Sequence, residues 1–147
     1  MLDLTGPMPV HIQMATRIEQ SGEVTAHQFD EAGQLIQMGA TLYLRYRERD
    51  PETGAQTPVT VKIQPDGLVI LTRGQADLRL QLHFHPTQRL TTAYKTPYGE
   101  IPVTTATTLM ESRIQNEPLH GEVAIDYQLF SEKELLGKYQ LRLIFKA

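Results

Sequence analysis

The sequence predicts an all-β protein, an antiparallel up-and-down meander of about eight to ten strands closed into a barrel. Three observations predict it. Apolar residues recur at every second position along most of the chain, as they do on a strand with one buried face. Turn residues such as Ser21-Gly22, Pro65-Asp66-Gly67 and Pro97-Tyr98-Gly99 punctuate those runs at short intervals, the spacing of hairpins. No 3.6-residue apolar stripe lies between the runs, so the helices that parallel strands need for their crossovers are missing. An open meander of this length would leave two unpaired edges, and closure removes both.

The 147 residues are read as one domain, with residues 1–9 an N-terminal segment expected to be flexible. Val10 to Glu19 alternates Val10, Ile12, Met14, Thr16 and Ile18 against His11, Gln13, Ala15, Arg17 and Glu19. After Ser21-Gly22, Glu23 to Asp30 reads as a weaker, more polar strand. Beyond Gly33, Leu35 to Glu48 reads as one long strand, with Ile36, Met38, Ala40, Leu42, Leu44 and Tyr46 on one face. Asp50 to Gly54 is a loop, and Thr57 to Gln64 the next strand, with Pro58 near its start where a missing N–H is tolerated. Leu68 to Arg73 is nearly all apolar and is closed by Arg73-Gly74. Asp77 to His85 sets Leu78, Leu80, Leu82 and Phe84 against Arg79, Gln81, His83 and His85, and Pro86 ends it.

The clearest hairpin joins Leu90–Lys95 to Ile101–Leu109, both rich in strand formers. Pro97 suits the first central position of a type I turn, and Gly99 the left-handed residue of a three-residue loop. After the polar connection Asn116-Glu117-Pro118, two strands complete the chain, Glu122 to Phe130 and Lys138 to Lys146. Their link, Ser131 to Gly137, has the capping-box spacing of Ser131 and Glu134 and is expected to form one helical turn.

Composition narrows the function classes. There is no cysteine, which excludes disulfides and thiol chemistry. Neither a signal-peptide pattern nor a membrane-length apolar run is present, so the sequence predicts a cytoplasmic protein without a membrane span. A net charge of −3 gives no general attraction for nucleic acid.

Tyr43-Leu44-Arg45-Tyr46-Arg47-Glu48, Thr60-Val61-Lys62-Ile63, Thr72-Arg73-Gly74 and Tyr94 to Glu100 followed by Thr104 to Thr108 together resemble the YwiB-like family of small bacterial proteins, from about Val10 to the C-terminus. The resemblance implies a calycin-like, or lipocalin-like, β-barrel and no established activity. Such barrels often enclose small apolar ligands, a use carried over by fold analogy alone.

Several side chains invite a chemical reading. His83 and His85, two apart on one strand, project from one face at a separation that metal sites use, but no third ligand is placed, and they share the outward face with Arg79 and Gln81. Tyr43, Arg45 and Arg47 form a basic and aromatic stripe of the kind that holds single strands, yet Glu48, Asp50 and Glu52 lie beside it. No nucleophile elbow, paired carboxylates or phosphate-cradling glycine loop is present, so neither a catalytic set nor a cofactor is assigned.

The candidate ligand-binding residues are Tyr46, Arg73, Tyr94 and Tyr127. Arg73 ends an apolar strand, where it would anchor a ligand carboxylate or phosphate at a barrel mouth. The preferred reading has it close the barrel, bonded to carbonyls or to a carboxylate such as Glu100, since a half-buried arginine must be paired in either case. The three tyrosines would offer hydroxyls to the interior, or serve as core residues. The function expected is the binding of a small apolar or amphipathic molecule inside the barrel; the alternative is a protein-interaction or structural module whose core side chains fill.

Overall fold

The computed structural model describes residues 4–147. Ten antiparallel strands pair each with its neighbour in sequence: β1 (Met8–Gln20), β2 (Glu23–Met38), β3 (Thr41–Arg49), β4 (Gln56–Ile63), β5 (Val69–Gln75), β6 (Leu78–Phe84), β7 (Arg89–Thr96), β8 (Gly99–Gln115), β9 (His120–Ser131) and β10 (Glu134–Lys146). β1 also pairs with β10, from His11↔Lys146 to Glu19↔Lys138, and this closes the barrel. No helix occurs among the described residues.

Of the N-terminal segment, Met8 and Pro9 already pair with Leu35 and Gln34 of β2, and Leu4 donates its N–H to Gln37 Oε1 at 2.7 Å. The first three residues lie outside the described part of the chain.

The inward stripes of β1, β4, β6, β9 and β10 are those read from the sequence, and they converge on one core that includes Ile12, Val61, Leu82, Ile125 and Leu143. Elsewhere the structure corrects the reading. The long strand from Leu35 to Glu48 is two, broken at Gly39-Ala40, where Gly39 has φ +63°. Its first part belongs to β2, and there the inward residue is Leu35, fully buried opposite Leu44, rather than Ile36. Met38, assigned to the buried face, is 62% exposed. Apolar residues on both parities concealed the change of phase.

Ser131 to Gly137 forms no helical turn. Ser131 and Glu134 face each other across a tight turn at Glu132-Lys133, and a bulge between Leu135 and Gly137 restores the register. A second bulge, between Thr107 and Leu109, lets β8 run to Gln115 instead of ending at Leu109. The extra residue switches which parity faces inward, from Val103 and Thr105 to Met110 and Ile114. β5 likewise passes through Gly74, and the chain turns at Ala76-Asp77 instead.

The central hairpin uses a two-residue loop, Pro97-Tyr98, rather than three, with Thr96 opposite Gly99. Thr96 Oγ1 accepts from the Tyr98 N–H at 3.2 Å and donates to the Gly99 carbonyl at 2.8 Å. Gly99 has φ +131°, and a Cβ there would meet no atom within 4 Å. Strain alone therefore opposes substitution. Gly99→Val is expected to cost on the order of 1–2 kcal/mol and to lower the thermal midpoint by several degrees; an unchanged melting curve would show that the turn relaxes freely.

Turns 1–2, 3–4, 5–6, 7–8 and 9–10 gather at one end of the barrel, the mouth; the other four connections and both chain ends lie at the base. Side chains plug the base. Phe145 is fully buried against Gly121, where a Cβ would lie 2.1 Å from its ring, and Leu119 accepts from the Ala147 N–H at 3.3 Å. One seam is short: β6 and β7 share only Arg79↔Lys95 and Leu80↔Tyr94. Beyond those pairs, hydroxyls replace the ladder, Thr92 donating to the Gln81 carbonyl and the buried Thr105 to that of His83.

Candidate ligand site in the barrel lumen

The alternation of β3 that buries Leu42, Leu44 and Tyr46 places Glu48 next on the same inward row. A carboxylate there must be paired, since burying an uncompensated charge is costly. Arg73 supplies the pair. It lies on β5 opposite Val59 of β4, which in turn is opposite Tyr46, so arginine and tyrosine share one row across three strands. Arg73 Nε donates to Glu48 Oε1 at 2.8 Å, Arg73 Nη2 donates to Oε2 at 3.0 Å, and the Tyr46 hydroxyl donates to Oε2 at 2.6 Å. The carboxylate thus receives three bonds, two of them from a guanidinium fork.

Glu48 is 5% exposed, whereas Arg73 keeps 32% of its side-chain surface accessible. Burial by itself would lower the arginine's proton affinity, but the hydrogen bonds and charge of Glu48 outweigh it and the net direction is upward. The Tyr46 hydroxyl is driven above the ordinary tyrosine range, first by burial and then by the Glu48 charge.

Above the plugged base the lumen widens into a cavity of about 310 Å³. Its apolar wall comes from β1 and β2 (Ile18, Phe29), from β5 and β6 (Leu71, Leu80, Leu82) and from β9 and β10 (Leu129, Leu141). Its polar groups are Thr16, His27, Glu48, Arg73, Tyr127 and Tyr139. Tyr127 is buried, its ring tilted against Phe84 at 4.6 Å and stacked on Tyr139 at 4.9 Å. Its hydroxyl has no hydrogen-bond partner among the described residues, although Arg73 is near enough to act on its charge. Tyr139 instead accepts from Gln20 Nε2 at 3.3 Å.

Burial raises the proton affinity of Tyr127 as it does that of Tyr46. With both folded-state values above the unfolded one, their contribution is complete below about pH 10 and is lost as pH rises beyond it. Two such groups are expected to remove up to about 2.7 kcal/mol of stability per pH unit there. Denaturation midpoints measured against pH, with tyrosinate absorbance, check this: both rings should ionise only on unfolding.

Of the four candidate residues, Arg73 and Tyr127 line the cavity. Tyr46 is spent on Glu48, and Tyr94 stands beside Leu80 at the short seam, outside the cavity wall. Glu48, and not Glu100, is the carboxylate that Arg73 meets; Glu100 sits exposed at the 7–8 hairpin. The other candidate groups have local partners. His83 Nε2 lies 3.2 Å from Gln81 Oε1, with burial lowering its proton affinity, and His85 Nδ1 accepts from the Thr87 N–H at 3.2 Å. Arg45 and Lys62 sit over the Tyr43 ring on the outside of the barrel, at 5.9 and 5.6 Å.

Residues 12–143 match a family model described as a domain of unknown function, DUF1934. Among solved structures, the crystal structure of the YwiB protein from Bacillus subtilis is similar to this chain, with a TM-score of 0.79 and 19% sequence identity over 96% of this chain and 92% of that one. At that identity the likeness bears on the fold. No curated protein matches the sequence.

Proposed function

The chain belongs to the DUF1934 family, and from the premise of a barrel family with no assigned activity we propose that this protein binds a small, largely apolar molecule in the open half of its lumen. The observation that carries the reading is the cavity of about 310 Å³, walled by hydrocarbon and lined by Arg73 and by Tyr127, whose hydroxyl has no hydrogen-bond partner among the described residues. Apolar walls with a few convergent polar groups are the usual make-up of a small-molecule site. The volume is about twice the roughly 150 Å³ in which an engineered apolar cavity holds benzene. A bicyclic ring or a medium-length chain is the matching size. The calycin-like barrel that the family resemblance implies supports the reading by analogy alone. The proposed setting is the cytoplasm, since a chain without cysteine takes nothing from an oxidising compartment.

The test is native mass spectrometry of protein purified from its own host, with displacement of a fluorescent apolar probe alongside. A copurifying small molecule, or saturable displacement that Leu82→Trp weakens by about tenfold or more, is expected. Bare polypeptide together with no probe binding would overturn the reading.

One observation favours the interaction module instead. Val24, Leu78, Tyr98, Ile101, Leu135 and Leu136 are exposed, and all six lie toward the mouth. If that collar served a protein partner, polar substitutions at Tyr98 and Leu135 would abolish the partnership while leaving probe binding in the lumen intact.

A further inference from the structure

We propose that the lumen selects ligands whose polar end is a neutral hydrogen-bond acceptor, such as a ketone, ester, amide or alcohol oxygen, and rejects carboxylates of the same skeleton, with Glu48 as the residue that sets this preference. The inference rests on the lumen-binding reading and deepens it.

An arginine at the mouth of an apolar cavity suggests a carboxylate anchor, and the geometry of Glu48 reverses that expectation. The cavity holds one fixed positive group, Arg73, and one fixed negative group, Glu48, joined by bonds of 2.8 and 3.0 Å. Tyr46, Tyr127 and Tyr139 are uncharged at neutral pH, and His27 lies exposed at the opening. The guanidinium is therefore already neutralised from within the protein. A ligand carboxylate reaching it would place a second negative charge on one cation, within a few ångströms of the Glu48 carboxylate, against walls of hydrocarbon. Like charges that close oppose each other's ionisation, and burial adds to the penalty.

A neutral oxygen meets no such opposition. The fork to Glu48 uses Nε and one hydrogen of Nη2, which leaves Nη1 and the second Nη2 hydrogen as donors. The unpartnered Tyr127 hydroxyl adds another on the same cavity wall. Glu48 itself, accepting from Arg73 twice and from Tyr46 once, keeps a single lone-pair site, on Oε1, and offers no hydrogen-bond donor to a ligand. Binding energy for a carbonyl thus comes from donors that are already oriented, and no charge has to be buried.

Matched probes decide the matter: decanol against decanoate, and naphthyl methyl ketone against naphthoate, titrated into the full chain at neutral pH by displacement of a fluorescent apolar probe. The neutral member of each pair is expected to bind about tenfold or more tightly. In Glu48→Gln the lumen carries one net positive charge, and the order within each pair should reverse. Carboxylates that bind wild type as tightly as their neutral partners, or more tightly, would overturn the inference while leaving lumen binding in place. Failure of all four compounds and of the fluorescent probe to bind would overturn lumen binding, and this inference with it. A neutral preference that persists unchanged in folded Glu48→Gln would remove Glu48 from its assigned role. Should that variant not fold, the wild-type comparison alone decides the selectivity.

Discussion

Arg73→Met is expected to destabilise the barrel by about 3–5 kcal/mol, because it leaves the Glu48 carboxylate buried without its cation. Glu48 is 5% exposed, and only the Tyr46 hydroxyl, at 2.6 Å, would remain to it. Glu48→Ala should cost less, near the lower end of that range. The charge then left behind belongs to Arg73, whose side chain keeps 32% of its surface and can take water through the open lumen. The asymmetry is itself a result to look for, since a surface ion pair would lose about 0–1 kcal/mol from either side. Replacing both partners by apolar residues, Glu48→Leu with Arg73→Met, should recover most of the loss, as neither charge then remains to be solvated. Urea denaturation of Arg73→Met, Glu48→Leu and the double variant forms a complete cycle, with Glu48→Ala measured beside it. If both single variants melted within about 0.5 kcal/mol of wild type, the pair would be solvated and the charge argument for ligand selection would fall with it.

The same residues show where the sequence was legible and where it was not. Alternation identified the inward faces of β1, β4, β6, β9 and β10, because on those strands most of the large apolar residues keep to one parity. It failed around Leu35, where Leu35, Ile36 and Met38 put apolar side chains on both faces and only the turn at Gly39 fixes which is buried. It failed again in β8, where one bulged residue reverses the parity beyond Thr107, and a period-two reading has no means of seeing an unpaired residue.

The site was half visible. Arg73 stood out as a cation closing an apolar strand, and Tyr127 as a hydroxyl within an inward stripe. Glu48 carried the same kind of signal. It follows Leu42, Leu44 and Tyr46 at the correct spacing, so an acid was due on the buried face and required a cation, but it reads equally as one more charge in Arg47-Glu48-Arg49-Asp50. Which cation it meets depends on β4 lying between β3 and β5 with Val59 opposite both Tyr46 and Arg73. That register comes from pairing across the sheet and has no trace in local pattern. Tyr94 was read as an interior side chain and does pack against the core, but it stands at the seam where β6 and β7 part after two pairs and does not line the cavity.

Phe84→Ala is expected to have a stability cost of comparable size, about 3–5 kcal/mol, and to enlarge the cavity of the lumen as well. Phe84 is fully buried on β6, one inward step deeper than Leu82, and its ring meets Tyr127 at 4.6 Å with a 55° tilt. Truncation removes hydrocarbon from the dry part of the core and takes away one of the two rings that hold Tyr127 in place. The other, Tyr139, is only half-buried, so the Tyr127 hydroxyl should lose its fixed position beside Arg73. For a domain of this length, a loss of that size lowers the thermal midpoint by on the order of 10 °C. Phe130→Ala is the matching control. Phe130 points to the outer face, where Arg89 lies over its ring at 5.0 Å, and its removal should cost no more than about 1 kcal/mol. Binding supplies a second readout. Under the proposed lumen binding, a lumen deepened by the missing ring should accept ligands one ring larger than wild type admits, while neutral ligands of the original size bind more weakly for want of the ordered Tyr127 donor. Equal melting points for the two variants would show that the lumen around Phe84 is not the packed floor on which the cavity stands.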